Sequence, residues 1–291
     1  PVDRRQRQMC IRDRDNKDMS FNTDFDAFIN QSWQQHEAQP QQTYKQLEQA
    51  ISEVEDTNHA ERILSLMLHT SIGHLHDPKQ FLTSLDKPEN GVATQCLARQ
   101  RAKAVAQYFI DRNTDHIADL DDVDQRRVFA QIANELSAMN ELEQASTWLV
   151  NAAAGLESDK VVEPLARSIA ITGNNLACQY EELEARSEAQ IEHMLEAATL
   201  ALEYWKVAGG WMQEERAEYR LAMSLLKAGN PLKAKVHADR CEAICRQNGE
   251  DAFELFYAHD LLMLVHYHLS QASKQKLTAD DQKYCESSPL A

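Results

Sequence analysis

Three side chains that commonly bind metals lie on one predicted helix face near the C-terminal end of the chain: His237, Cys241 and Cys245. Imidazole and thiolate groups are the ligands that soft metal ions prefer. Eight residues of straight helix span about 12 Å, whereas the ligands of a tetrahedral zinc ion lie within about 4 Å of one another. We therefore expect these side chains to pack between helices and not to bind a metal.

A second group, His69, His74 and His76, lies in the segment HTSIGHLH at the end of a predicted helix. Histidine near a helix C-terminus interacts favourably with the helix dipole, which is a sufficient explanation for this cluster. The sequence contains no glycine-rich phosphate loop, H-E-x-x-H, G-x-S-x-G or C-x-x-C motif. We expect no catalytic, cofactor-binding or metal-binding residues, and we predict that the chain is not an enzyme.

Composition and charge limit the class of protein. The 291 residues include only 8 Gly and 7 Pro, fewer than compact β or α/β folds need for their turns, and the formal net charge is −16. This charge disfavours nucleic acid and anionic membranes as partners and is explained by solubility or by a basic protein partner. Sparse cysteines and the absence of a signal peptide or a membrane-spanning run predict a cytoplasmic location.

Residues 4–14 (RRQRQMCIRDR) resemble a translated transposase adapter from shotgun library preparation. The alternative is a disordered basic arm that binds acidic partners. We expect residues 1–18 to be a non-native or disordered extension and Met19 to be the natural start. Without those six basic and four acidic side chains, the net charge is −18.

Apolar residues recur with helical periodicity along most of the remaining chain, and no segment shows the alternation of a strand. Pro78, Pro164 and Pro231 lie where helices should begin, and Asp121 is a candidate N-cap. We predict an N-terminal segment over 19–42, a helical domain over 43–270 and a polar C-terminal tail over 271–291. The predicted helices are 43–56, 59–75, 92–112, 123–139, 141–154, 162–183, 187–207, 212–228, 231–247 and 251–270.

A repeat is visible within residues 120–247. The small residues Ala133, Ala177 and Ala222 are 44 and 45 positions apart, and each lies twelve residues before a second small residue: Ala145, Ala189 and Ala234. This spacing predicts pairs of helices that approach closely through small side chains. The pattern resembles the tetratricopeptide-repeat (TPR) family, although its period is longer and the family's tryptophan position is absent.

The resemblance implies an all-α fold, a right-handed superhelix of antiparallel helical hairpins, with a concave groove that binds a protein segment. The helix positions that it assigns to this partner-binding groove are Arg127, Asn134, Asn174, Glu181, Arg216 and Tyr219. Arginine in such a groove would bind carboxylates. Cys178 and Met223 stand where carboxylate-binding members of the family carry asparagine, which argues against an acidic C-terminal peptide.

We therefore expect a non-enzymatic interaction scaffold that binds a protein or peptide partner. A sensory or regulatory helical module of a transcription or signalling system is the alternative, and an all-α enzyme is the third possibility. A deep closed pocket with strongly shifted acids would favour the enzyme, whereas a shallow open groove would favour the scaffold. The sequence does not identify the partner or the oligomeric state.

Overall fold

The computed structural model describes residues 24–87, 96–249 and 251–287, and within these ranges it contains helices and no strand. The predicted all-α class is confirmed for these residues. The adapter-like residues 4–14 lie outside them. The chain divides into two compact units, Pro1–Ala154 and Gly155–Ala291, where the sequence predicted one domain over 43–270.

The first unit contains eight described α-helices and one π-helical turn. The π turn, Thr70–His74, directly follows the third helix. The helices are α1 (Phe25–Gln35), α2 (Pro40–Glu53), α3 (Thr57–His69), α4 (Pro78–Leu85), α5 (Leu97–Asp111), α6 (Asp115–Ala118), α7 (Asp122–Ala138) and α8 (Leu142–Ala153).

The second unit contains five described α-helices after a short 3-10 turn, Ser158–Lys160. The last helix continues through residues that the sequence assigned to a polar tail over 271–291. The helices are α9 (Glu163–Glu182), α10 (Glu188–Ala208), α11 (Trp211–Lys227), α12 (Pro231–Gln247) and α13 (Ala252–Ser287).

Local signals fix where many helices begin. Asp77 and Asp121 accept hydrogen bonds from backbone N–H groups at the starts of α4 and α7, which leaves fewer unpaired donors in the first turn. Pro78, Pro164 and Pro231 lie in the first turns of α4, α9 and α12, as predicted, because proline has the required φ and no N–H to leave unpaired.

Consecutive helices pack in neighbouring pairs, and alternate helices also touch. In the first unit, α7 packs on α8, and α5 contacts both α3 and α7. In the second unit, α9 packs on α10 and α11 on α12, while α11 contacts both α9 and α13. Within each unit, neighbouring hairpins thus cover one another's apolar faces.

The repeating alanines lie inside these contacts. Ala133, Ala177 and Ala222 are fully buried, and so are Ala145 and Ala234 of the following helices. These predicted packing positions are confirmed.

The prediction was wrong at Ala189, which is exposed at the start of α10. The connection between α9 and α10 has five residues, whereas those between α7 and α8 and between α11 and α12 have three, so the residue twelve positions on lies at the very start of α10 and the contact lies farther along that helix. There Gly173 takes the place of a larger residue: a Cβ on it would lie 2.6 Å from the carbonyl oxygen of Ala197. Glycine thus permits the closest approach between α9 and α10.

Candidate functional site

A wide helical turn brings two histidines together in the first unit. His69 is the last residue of α3 and His74 the last of the π turn, in which the N–H of Leu75 donates to the carbonyl of Thr70, five residues earlier, at 3.0 Å. In an α-helix, residues five apart point about 140° away from each other. The wider turn instead places Nε2 of His74 3.3 Å from Nε2 of His69. Such turns often occur at functional sites.

Gly73 allows α7 to pack directly against this turn. A Cβ at Gly73 would lie 3.1 Å from Cβ of Ala138 and 3.3 Å from both Oε2 of Glu135 and Cε1 of His69. These distances are tighter than ordinary side-chain contacts. The absence of a side chain at residue 73 therefore lets α7 place a carboxylate beside the imidazole of His69.

His36 completes the group from the end of α1. Its Nδ1 lies 2.5 Å from the carbonyl oxygen of Trp33, so Nδ1 donates to the backbone and Nε2 remains available. The His36 ring lies 5.1 Å from that of His69 and 4.7 Å from that of His74, between centroids. One ring nitrogen from each histidine lies within 4.8 Å of the others.

A buried carboxylate orients the central ring. Nδ1 of His69 donates to Oε2 of Glu135 at 2.8 Å, and the two side chains are only 12% and 1% exposed. A carboxylate or carbonyl partner on the outer nitrogen fixes the direction of an imidazole, and metal-binding histidines almost always have one. Here His69 has the Glu135 carboxylate, and His36 has the Trp33 carbonyl.

The three rings differ in their protonation. Burial, followed by the charge of His69, lowers the pKa of both His36 and His74 to about 4, so both are neutral at pH 7. Burial would also lower the pKa of His69, but the Glu135 carboxylate outweighs it and raises that pKa above its ordinary value. Two neutral imidazoles therefore lie beside a third that is paired with a carboxylate.

His76, which the sequence grouped with His69 and His74, does not join them. It is exposed, with a left-handed backbone (φ 54°) just before α4. His36 was missed because it lies 33 residues before His69 in the sequence, and no spacing rule connects the two. The spacing of His69 and His74 predicts neighbouring rings only if the turn between them is known to be π-helical.

Of His237, Cys241 and Cys245, the two cysteines pack inside the fold, as the sequence predicted. Cys241 and Cys245 are buried on α12, where burial raises the pKa of Cys241 well above its ordinary value and that of Cys245 to about 12. Nδ1 of His237 lies 2.6 Å from Oε2 of Glu218. Among the described residues, only His36, His69 and His74 form a group of three with metal-ligand geometry.

In the first unit, the predicted groove residues take part in contacts within the fold. Arg127 donates from Nη2 to Oε1 of Glu61 on α3 at 2.6 Å, and its side chain is 19% exposed. Arg101 on α5 donates to the same oxygen at 2.6 Å and to Oδ1 of Asp124 on α7 at 2.7 Å. Asn134 is half-buried and donates to Oε1 of Glu135 at 3.4 Å. Arg127 thus belongs to an ion-pair network that joins α3, α5 and α7.

The predicted groove residues of the second unit behave similarly. Glu181 is buried and accepts from Nη1 of Arg220 at 2.5 Å, while Nε of Arg220 donates to Asn174 at 3.4 Å. Arg216 on α11 forms an ion pair with Glu254 on α13.

Tyr219 is also largely buried, and burial raises its pKa to about 12. The charged positions that the TPR resemblance assigned to a partner therefore connect alternate helices within each unit.

Comparison with known proteins does not assign a family. A scan against protein-family models finds no match, and a search of curated proteins finds none either. No helix within residues 24–87, 96–249 and 251–287 has both the length and the hydrophobicity that a membrane span requires.

Proposed function

We propose that the chain is a non-enzymatic scaffold that binds a protein partner, built from TPR-like hairpins that form a right-handed superhelical stack within each unit. The packing of alternate helices and the burial of the repeating alanines support this proposal. The net charge of −16 favours a basic protein over nucleic acid or an anionic membrane, and sparse free cysteines suit the cytoplasm.

One surface observation carries the proposal. Phe256, Met263 and Tyr267 on α13 are 59%, 67% and 58% exposed. Their spacing of seven and four residues places them within about 20° of one helix face, over about 16 Å of its length. Grouped apolar side chains on a surface mark protein interaction sites more often than isolated ones do.

On α12, Leu232 and Val236 are 73% and 65% exposed and lie one turn apart. The arginines that the sequence assigned to a groove are instead paired with Glu61 and Glu254. We therefore propose that the partner binds the exposed apolar side chains of α12 and α13 and not the helices on which Arg127 and Arg216 form these ion pairs.

Affinity capture with matched variants tests this proposal. Met263→Asp adds a charge to the apolar face of α13, whereas His268→Asp adds the same charge about 140° around the helix, at another exposed position. We expect Met263→Asp to reduce the captured partner at least tenfold and His268→Asp to leave it unchanged. If Met263→Asp leaves the capture of every partner unchanged, the proposal fails; Arg127→Glu and Arg216→Glu would not decide it, because both arginines form ion pairs within the fold.

A further inference from the structure

The three histidines of the first unit form an arrangement that goes beyond the proposed scaffold. We propose that His36, His69 and His74 bind one divalent metal ion of the zinc class through three imidazole nitrogens, with a water molecule in the fourth position. Three histidines and one open position are a known zinc coordination set. Imidazole also suits copper, nickel and cobalt ions, so affinity alone does not select among them.

The distances suit a tetrahedral ion. Zinc–nitrogen bonds of 2.0–2.1 Å place two ligand nitrogens about 3.3 Å apart, and the Nε2 atoms of His69 and His74 are 3.3 Å apart. One nitrogen of each ring lies within 4.8 Å of the others, so a tetrahedral set requires these distances to shorten by no more than about 1.5 Å.

The surroundings of the rings are those of metal ligands. Nδ1 of His36 and Nδ1 of His69 are held by the Trp33 carbonyl and the Glu135 carboxylate, which fixes both rings and leaves Nε2 of each as the nitrogen that can bind a metal. Glu37 also lies near enough for its charge to act on all three rings. A cation bound between the rings would therefore be partly neutralised by Glu37 and Glu135.

The alternative is a packing cluster, in which Trp33 and the three rings fill space and the His69–Glu135 ion pair acts alone. In that arrangement Nε2 of His69 and Nε2 of His74, 3.3 Å apart, share one hydrogen bond. The packing explanation predicts that added metal has no effect on the protein. The two explanations therefore differ in a direct binding experiment.

The test uses the full chain without an affinity tag, stripped with a chelator and titrated with Zn²⁺ by calorimetry. We expect one ion per chain and a rise in the melting temperature, because an ion that binds only the folded state stabilises it. X-ray absorption at the zinc edge should show imidazole nitrogens at about 2.0 Å and no sulfur. Absence of stoichiometric binding, or sulfur in the coordination shell, would overturn the proposal.

Matched variants locate the ion. His36→Ala and His74→Ala should each weaken Zn²⁺ binding at least 100-fold, and Glu135→Gln, which preserves side-chain shape, should weaken it by 10- to 100-fold. His76→Asn changes an exposed histidine two residues from His74, in a backbone conformation that asparagine tolerates, and should bind as the wild type does. Wild-type affinity in a folded His74→Ala or Glu135→Gln variant would contradict the proposed site.

Discussion

The buried ion pair between Glu181 and Arg220 should contribute strongly to the stability of the second unit. The two side chains are 1% and 4% exposed, and Ser224 donates a second hydrogen bond to the Glu181 carboxylate at 2.6 Å. Arg220→Met removes the guanidinium and leaves a buried charge with only the serine donor. We expect a loss of about 3 kcal/mol, at the lower end of the usual cost of breaking a buried pair, because Ser224 remains.

A double-mutant cycle separates this interaction from general damage. Glu181→Met combined with Arg220→Met removes both charges, so the double variant should lose no more than about 1–2 kcal/mol. The control is Arg246→Met, which breaks a pair with Glu242 one turn away on the surface of α12 and should cost less than about 1 kcal/mol.

The assay is urea unfolding followed by tryptophan fluorescence in a Trp33→Phe, Trp148→Phe background, so that the signal comes from Trp205 and Trp211 of the second unit. Using these tryptophans matters because two compact units need not unfold together. If Arg220→Met costs less than about 1 kcal/mol, or if the two single losses simply add, the pair does not hold α9 and α11 together as the structure indicates.

Three further changes test the packing. Gly173→Ala should destabilise the second unit by about 1–3 kcal/mol in urea unfolding, because its Cβ would clash with the backbone of α10. Alanine stabilises an ordinary helix relative to glycine, so a gain in stability would refute the close approach. Burial, with the nearby Glu254 charge, raises the pKa of Glu215 from 4.5 in the unfolded chain to about 8 in the fold. The fold therefore favours the protonated side chain, and the wild type should lose stability as the pH rises from 4.5 to 8. Glu215→Gln should therefore match the wild type at pH 4.5 and exceed it by about 2–4 kcal/mol at pH 8; equal pH profiles in denaturation would contradict this. Tyr44→Phe should cost about 1 kcal/mol in thermal unfolding, because the buried hydroxyl donates to Ser84 at 3.0 Å; an unchanged melting temperature would show that the bond contributes nothing.

Helix positions could be predicted because their signals are local. The observed α12, Pro231–Gln247, has the predicted bounds, and α9 and α10 differ from prediction by one residue at each end. Apolar periodicity, first-turn prolines and caps each act within a few residues. The burial of Ala133, Ala177 and Ala222 could also be predicted, because a recurring small residue is useful only where two helices touch.

The candidate sites depended on contacts between distant residues, and these could not be predicted. Arg127 pairs with a carboxylate 66 positions away and Arg216 with one 38 positions away, so the sequence could not show that both are used within the fold. His36 lies outside any motif that includes His69. The π turn between His69 and His74 packs against α7 at Gly73, and this contact between distant residues has no local signature.

Site-specific photo-crosslinking tests the location of the partner-binding surface most directly. A photoreactive amino acid is placed at Met263 or Tyr267 on the apolar face of α13, and in parallel at Arg127 or Arg216 on the ion-paired helices. The scaffold account predicts crosslinks to one partner protein from positions 263 and 267 and none from 127 and 216. Crosslinks that form only from 127 and 216 would contradict this surface and restore the groove that the sequence predicted.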